Sequence, residues 1–421
     1  MSANFFLSSH ANYHLHPRGA LLAARVDDLR HASEQELAWI EIWSAGAMQK
    51  ICKRLSLRQQ VVATAIVFFR RFYLRNAYCE TDPALVAAAC CYVAAKAEET
   101  PVHVKSAVGE AKVVFTDMGL PTFSSDNHRL AEMEFYLLEE LDFHLVVYHP
   151  YRVLVQLCGR DGGPQAGGEE GVASRKRMLE MDDMALQMAW FIINDTYRSS
   201  LMLIHPPHLI ALAAIYLAFA LHPPASCASS ILPPTNPPPP PSSSRSPARP
   251  STTGGPASRT RRASLTDEAS SSSTTATTAA AATPSTPSGP GGQTDPITFL
   301  ASLQVDQSLV LEIVQEIVAL YEVWASLESP SSSASSSSAS PAAAAIAASR
   351  AGGASPLGAG GVGGVGGGKQ PTPDEKVLAI IRKMQDARMR EDHRGRQAQL
   401  AALQAQQQQQ QQAAAQARKV G

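Results

Sequence analysis

Apolar residues recur every three to four positions through most of residues 1–158, and no stretch alternates convincingly between apolar and polar. An all-α fold is therefore expected. The segment "SEQELAWIEIWSAGAMQKICKRL" opens on Ser33 with Glu36 three residues on, a capping-box pattern for a helix start. A second helix follows in "LRQQVVATAIVFFRRFYLRN". The third, "PALVAAACCYVAAKA", is entered at Asp82-Pro83, a good N-terminal signal. Residues 102–117 read as a weaker fourth. "NHRLAEMEFYLLEELDF" is the fifth, with Leu130, Met133, Leu137 and Leu141 on one side.

The pattern then partly repeats at an offset of 124 residues. Pro83, Leu85, Ala87, Ala89, Tyr92 and Ala94 meet Pro207, Leu209, Ala211, Ala213, Tyr216 and Ala218, and Tyr73 meets Tyr197. One helical unit used twice is the economical reading. Its alanines suit a central helix that neighbours approach closely. The last helix of the second unit is "DQSLVLEIVQEIVALYEVWASLE", with Leu309, Ile313, Ile317 and Leu320 expected on one face. Lys96 breaks the match, because its counterpart is Ala220. The fold of the unit therefore does not require that lysine.

Composition changes the picture mainly by dividing the chain. Residues 222–294 are rich in Pro, Ser, Thr and Ala, and 329–370 in Ser, Ala and Gly. Neither stretch has the apolar content to offset its ordering entropy, so both are expected to be disordered. A glutamine run, Gln406 to Gln412, lies near the end. The net charge of −1 gives no bulk attraction to nucleic acid or an anionic membrane. Six cysteines include no C-x-x-C pair, which disfavours a zinc ribbon or a disulfide framework and suggests a reducing compartment. The first residues lack the order of a secretory leader. The longest apolar run, Leu209 to Leu221, falls short of the roughly 20 residues a bilayer span needs. "GGVGGGKQ" lacks the Ser/Thr of a phosphate loop, and His10, His14 and His16 lack further ligands for a metal. No cofactor is expected, and no catalytic constellation supports an enzyme.

Two positions carry candidate chemistry in the first unit. Glu134 lies among Leu130, Ala131, Leu137 and Leu138, where a carboxylate needs a hydrogen-bonding or cationic partner. Lys96 ends the third helix, either as a solvated partner of the helix dipole or as a contact residue. In "MAWFIINDTYRSSL", Trp190, Asn194 and Tyr197 share a helix face, as core or as an exposed anchor for a partner segment.

"AAKAEE" followed by "AEMEFYLLEELDF" resembles the cyclin box. The pieces "NFFLSSH", "LRQQVVATAIVFFRRFY", "EFYLLEELDFHLVVYHPYR", "INDTYRSSL" and "LIHPPHLIALAAIYLA" are similar to the cyclin C-like branch, and "DEKVLAIIRKMQDARM" to the closing tail of its fungal members. The resemblance implies two tandem five-helix cyclin folds with disordered insertions and a tail. The expected organisation is an N-terminal segment 1–32, a first cyclin fold 33–147, a second at 148–328 interrupted by 222–294, and a tail 329–421. It further implies a nuclear, non-catalytic activating subunit of the cyclin-dependent kinase of the Mediator kinase module, regulating transcription by RNA polymerase II. Lys96, Glu99 and Glu134 would bind the kinase. Trp190, Asn194, Asp195, Tyr197 and Tyr321 would line a groove for another module subunit. No direct nucleic-acid or membrane partner is implied. Two departures separate the chain from cell-cycle cyclins. Ser44 and Ala47 replace the large apolar residues of the substrate-docking patch, and Arg70 replaces an acid, so an internal Arg–Asp pair is expected to be missing. Alternatives are a transcriptional cyclin paired with an elongation kinase, and a TFIIB-like DNA-binding factor.

Overall fold

The computed structural model describes residues 4–124, 126–158, 179, 181–222, 296–329 and 371–420. All of these fall in one compact unit of the chain. The insertion 222–294, beyond His222, and the stretch 330–370, both expected to be disordered, lie outside the described residues. Among the described residues every regular element is helical.

Two short helices, α1 (Ser9–Tyr13) and α2 (Arg18–Ala23), precede the first repeat. That repeat is α3 (Glu34–Arg54), α4 (Gln59–Phe72), α5 (Pro83–Ala97), α6 (Val104–Asp117) and α7 (Asn127–Glu140). The second comprises α8 (Pro150–Leu157), α9 (Asp183–Thr196), the single turn α10 (Leu201–Ile204), α11 (Pro207–Leu221), α12 (Pro296–Ser302) and α13 (Gln307–Glu328). A long α14 (Pro373–Val420) closes the chain.

Local chemistry sets the helix starts. Ser33 and Glu36 form the expected reciprocal capping box on α3. Asp82 Oδ1 accepts from the Ala84 and Leu85 amides, and Pro83 occupies the first position of α5. The helices α5 and α11 have the same bounds at the offset of 124, and each is the hub of its repeat. The first packs against α3, α4, α6 and α7, the second against α8, α9, α10 and α13. Ala87, Ala89, Ala94, Ala211, Ala213 and Ala218 are all fully buried, as close packing around a hub demands. Tyr73 and Tyr197 are both buried C-caps, of α4 and α9.

Two expectations change. The buried face of α13 starts at Val310 and runs through Ile313, Ile317, Leu320, Tyr321 and Trp324, while Leu309 is exposed. The tail is not separate from the first fold: Val377, Leu378, Ile380, Ile381 and Met384 are buried where α14 packs on α3. Leu378 lies against Gly119, whose φ of +91° favours glycine, and Gln385 Nε2 donates to the Thr81 carbonyl at 2.7 Å. From Asp392 to Gln410 the helix is exposed on all sides.

Candidate functional site

The packing of α7 on α5 brings Lys96 and Glu134 together. Lys96 Nζ donates to Glu134 Oε1 at 2.6 Å and lies 4.1 Å from the centroid of the Tyr92 ring. The lysine side chain is 40% exposed and that of Glu134 15%, so the pair sits at the edge of the apolar stripe rather than inside it. Burial opposes the lysine's charge, but the bonds to Glu134 and Tyr92 outweigh it, and its pKa lies above the ordinary value. The position in the last turn of α5 favours the cation as well. One side chain with three donor protons and one acceptor carboxylate thus meet at an accessible surface. Phe135, the next residue on α7, is 73% exposed, and Phe143 projects from the following turn with a φ of 58°. A bulky residue in that conformation is strained.

The two glutamates after Lys96 diverge. Glu99 is exposed in the left-handed region, with a φ of 54°, and terminates α5 through the bonds Glu99 N–Lys96 O and Thr100 N–Ala95 O. Glu98 turns inward, an orientation that no local pattern marks. It accepts from Thr64 Oγ1 at 2.6 Å and Gln60 Nε2 at 2.7 Å. The Thr64 hydroxyl also meets His149 Nε2 at 2.8 Å, and His149 Nδ1 meets the Tyr197 hydroxyl at 2.6 Å. One set of proton positions satisfies every member: Tyr197 donates to Nδ1, Nε2–H to Thr64, and Thr64 to Glu98. Burial, reinforced by the Arg71 charge, pulls the His149 pKa from 6.5 to about 3, so the imidazole is neutral as that order requires. A buried polar chain therefore joins the end of α5 to the second repeat.

That chain corrects the reading of Tyr197 as a partner contact, because the side chain is 1% exposed and bonded inward. Four of the five expected groove residues lie on two faces of α9, and the fifth, Tyr321, comes from α13. Trp190, Asn194 and Tyr197 surround Tyr151. Its ring is 4.6 Å from that of Trp190, and its hydroxyl donates to Asn194 Oδ1 at 2.8 Å. Asp195 is buried on the other face and accepts from the Tyr321 hydroxyl at 2.9 Å. Only Trp190 and Asn194 are half-buried. Next to Asp195, Arg198 stacks over Trp324 at 4.0 Å and lines a cleft of about 730 Å³ with Trp43, Gln49, Lys50 and Leu327.

The reading of α3 also changes. Ser44 and Ala47 are fully buried, and the Ser44 hydroxyl donates to the Ile40 carbonyl, so neither lies on a surface patch. Position 70 offers no acid for an Arg–Asp pair, and an ion pair of the reversed sense stands there instead. Arg70, itself buried, pairs with Glu41 at 2.6 Å and donates to the Arg198 carbonyl at 2.8 Å. It thereby ties α4 to α3 and to the second repeat.

The five described cysteines are buried; burial pushes the Cys158 thiol up to about 12 and those of Cys90 and Cys91 well above the usual value. His10, His14 and His16 do not converge: His10 Nδ1 accepts from the Tyr148 amide, while His14 faces His144 at 3.3 Å.

Comparison with known proteins gives the family. Residues 33–146 match the model of the cyclin N-terminal domain. The chain is 37% identical over 374 residues to an RNA polymerase II holoenzyme cyclin-like subunit of Mycosarcoma maydis, covering 77% of this chain and 90% of that protein. It is 38% identical to Cyclin-C1-1 of Oryza sativa subsp. japonica, over 52% of this chain and 78% of the relative. Among solved structures, a chain of the yeast TFIIK complex overlaps 51% of this chain and 85% of its own length, at 26% identity and a TM-score of 0.38, too little overlap to carry weight. Two helical repeats built on alanine-rich hubs, a Lys–Glu pair on the first, and relatives matched over most of their length place this chain in the cyclin family, in the branch of cyclin C and the RNA polymerase II holoenzyme cyclin-like subunits.

Proposed function

We propose that the chain is the activating subunit of a cyclin-dependent kinase within the Mediator kinase module, acting in the nucleus on transcription by RNA polymerase II. The observation that carries the reading is the Lys96–Glu134 pair, 2.6 Å apart between the first hub α5 and α7, with an exposed aromatic, Phe135, beside it. The pair offers an ammonium donor and a carboxylate acceptor to the backbone ends of a kinase helix, and Phe135 offers apolar area. Glu99, exposed at the same helix end, extends the acidic side of this surface. Binding a kinase better in the state where its mobile helix is swung inward shifts the kinase population toward that state. The inward helix completes the Lys–Glu pair of the kinase active site. The cyclin supplies no reacting group. The half-buried Trp190 and Asn194 form a second contact surface, for a further subunit of the module.

Capture of the tagged chain from nuclei, read by quantitative mass spectrometry, tests both surfaces. Glu134→Lys is expected to remove the cyclin-dependent kinase by at least about 10-fold and Trp190→Ala to spare it, since distant sites contribute independently. Undiminished kinase recovery with Glu134→Lys would refute the assignment.

A further inference from the structure

A different cluster joins the second repeat to the N-terminal helices. His205 follows α10, immediately before the two prolines that open α11, and its backbone amide donates to the Leu201 carbonyl. The side chain is 7% exposed, and Nε2 is buried with no hydrogen-bond partner. That orphaned nitrogen points at α13, 3.8 Å from Glu316 Oε1. Glu312 lies one turn earlier on the same face, and one ligand atom from each of the three residues lies within 4.8 Å of the others. Two glutamates four residues apart repel each other unless a cation lies between them. Arg18 of α2 fills that role here, with Nη2 at 2.6 Å from Glu312 Oε1 and in close contact with Glu316 Oε1.

We propose that His205, Glu312 and Glu316 form a binding site for a divalent transition metal of the zinc class. A neutral imidazole and two carboxylates are a zinc donor set, with water completing a tetrahedron. The imidazole disfavours magnesium and calcium, which take oxygen ligands. Ligand atoms around tetrahedral zinc lie about 3.4 Å apart, so the three groups must close by at most about 1.4 Å. The two glutamate side chains, 45% and 27% exposed, have the rotamer freedom to do so. Arg18 is 46% exposed on a helix of six residues, so it can leave when the metal enters. The metal would fasten the turn before α11 to α13 and release α2.

The full-length chain, stripped with a chelator, is titrated with Zn²⁺ against a competing chromogenic chelator. Co²⁺ serves as a spectroscopic probe of tetrahedral coordination. Wild type is expected to take one more tight equivalent than His205→Asn, and Glu312→Gln or Glu316→Gln should weaken that equivalent by at least about 10-fold. Arg18→Ala should tighten it, because the competing cation is gone; a purely structural ion pair would not behave so. Should His205→Asn fail to fold, the half-exposed Glu312→Gln carries the same comparison. Equal stoichiometry and affinity in wild type and the ligand variants, or no gain with Arg18→Ala, would overturn the assignment and leave an arginine–glutamate ion-pair cluster.

Discussion

The hubs α5 and α11 differ less in how they pack than in what they show to solvent. Both start at a proline, both bury most of their alanines, and both end with the same bond, Glu98 N to Ala94 O in the first and His222 N to Ala218 O in the second. At the exposed corner the first carries Lys96 over Tyr92 and against Glu134. The second carries Ala220 beside an exposed Tyr216. Duplication preserved the interior because a hub surrounded by helices tolerates little change in volume. The surface was under no such constraint, and the chemistry proposed for kinase binding is confined to one copy.

The strongest way to strain this pairing of repeats is through pH. His149, in the connection between them, is buried neutral, with its pKa pulled from 6.5 to about 3 by burial and then by Arg71. Between those values the unfolded chain binds a proton that the folded chain refuses. Stability is therefore full above about pH 6.5 and falls as the pH is lowered, by up to about 1.4 kcal/mol per unit from this group alone. His10, also held at about 3 by burial and Arg71, adds in the same direction. Denaturant midpoints measured from pH 7.5 to 4.5 check the slope, and a flat profile would show that His149 titrates normally.

A smaller effect separates the two equivalent tyrosines. Tyr197→Phe leaves His149 Nδ1 buried without its donor and should cost about 1–3 kcal/mol. The Tyr73 hydroxyl meets Thr81, which itself donates to the Ala77 carbonyl, so Tyr73→Phe should cost about 1 kcal/mol or less. Urea unfolding of both variants gives the comparison; equal costs would remove the polar chain as a tie between repeats. Smallest of all is the transplant Ala220→Lys. It should change stability by less than about 0.5 kcal/mol, as an exposed substitution, and create no second kinase-binding surface. A doubled kinase stoichiometry in sedimentation analysis would contradict the view that lysine needs its glutamate partner.

The helices, the repeat and the residues of the Lys96–Glu134 site were legible because each is a local or periodic signal. Caps and spacing mark helix starts, a fixed offset marks the repeat, and an acid in an apolar stripe stands out. Glu98, Arg70 and His205 were not legible as they function, since their partners are distant in sequence and only packing supplies them. Arg70 read as a lost pair because the pair was sought with an acid at that position; Glu41 supplies it from α3. Tyr197 read as a surface candidate because helical spacing records which residues share a face and not whether that face is covered. The attachment of α14 was hidden in the same way: its apolar residues are few, and nothing local says which helix they meet.

The most direct test of the central claim is a double-mutant cycle on Lys96 and Glu134, measuring kinase affinity and melting temperature for wild type, Lys96→Glu, Glu134→Lys and the double reversal. Because the side chains bond each other, the double reversal remakes their ion pair while inverting what a partner meets. Each single variant should lose about 1 kcal/mol of stability or less, and the double should recover it. Kinase affinity should fall by about 2 kcal/mol or more in all three variants and stay lost in the double. Recovery of wild-type kinase affinity in the double reversal would contradict the account, for it would make the pair a brace within the cyclin and not a surface that the kinase reads.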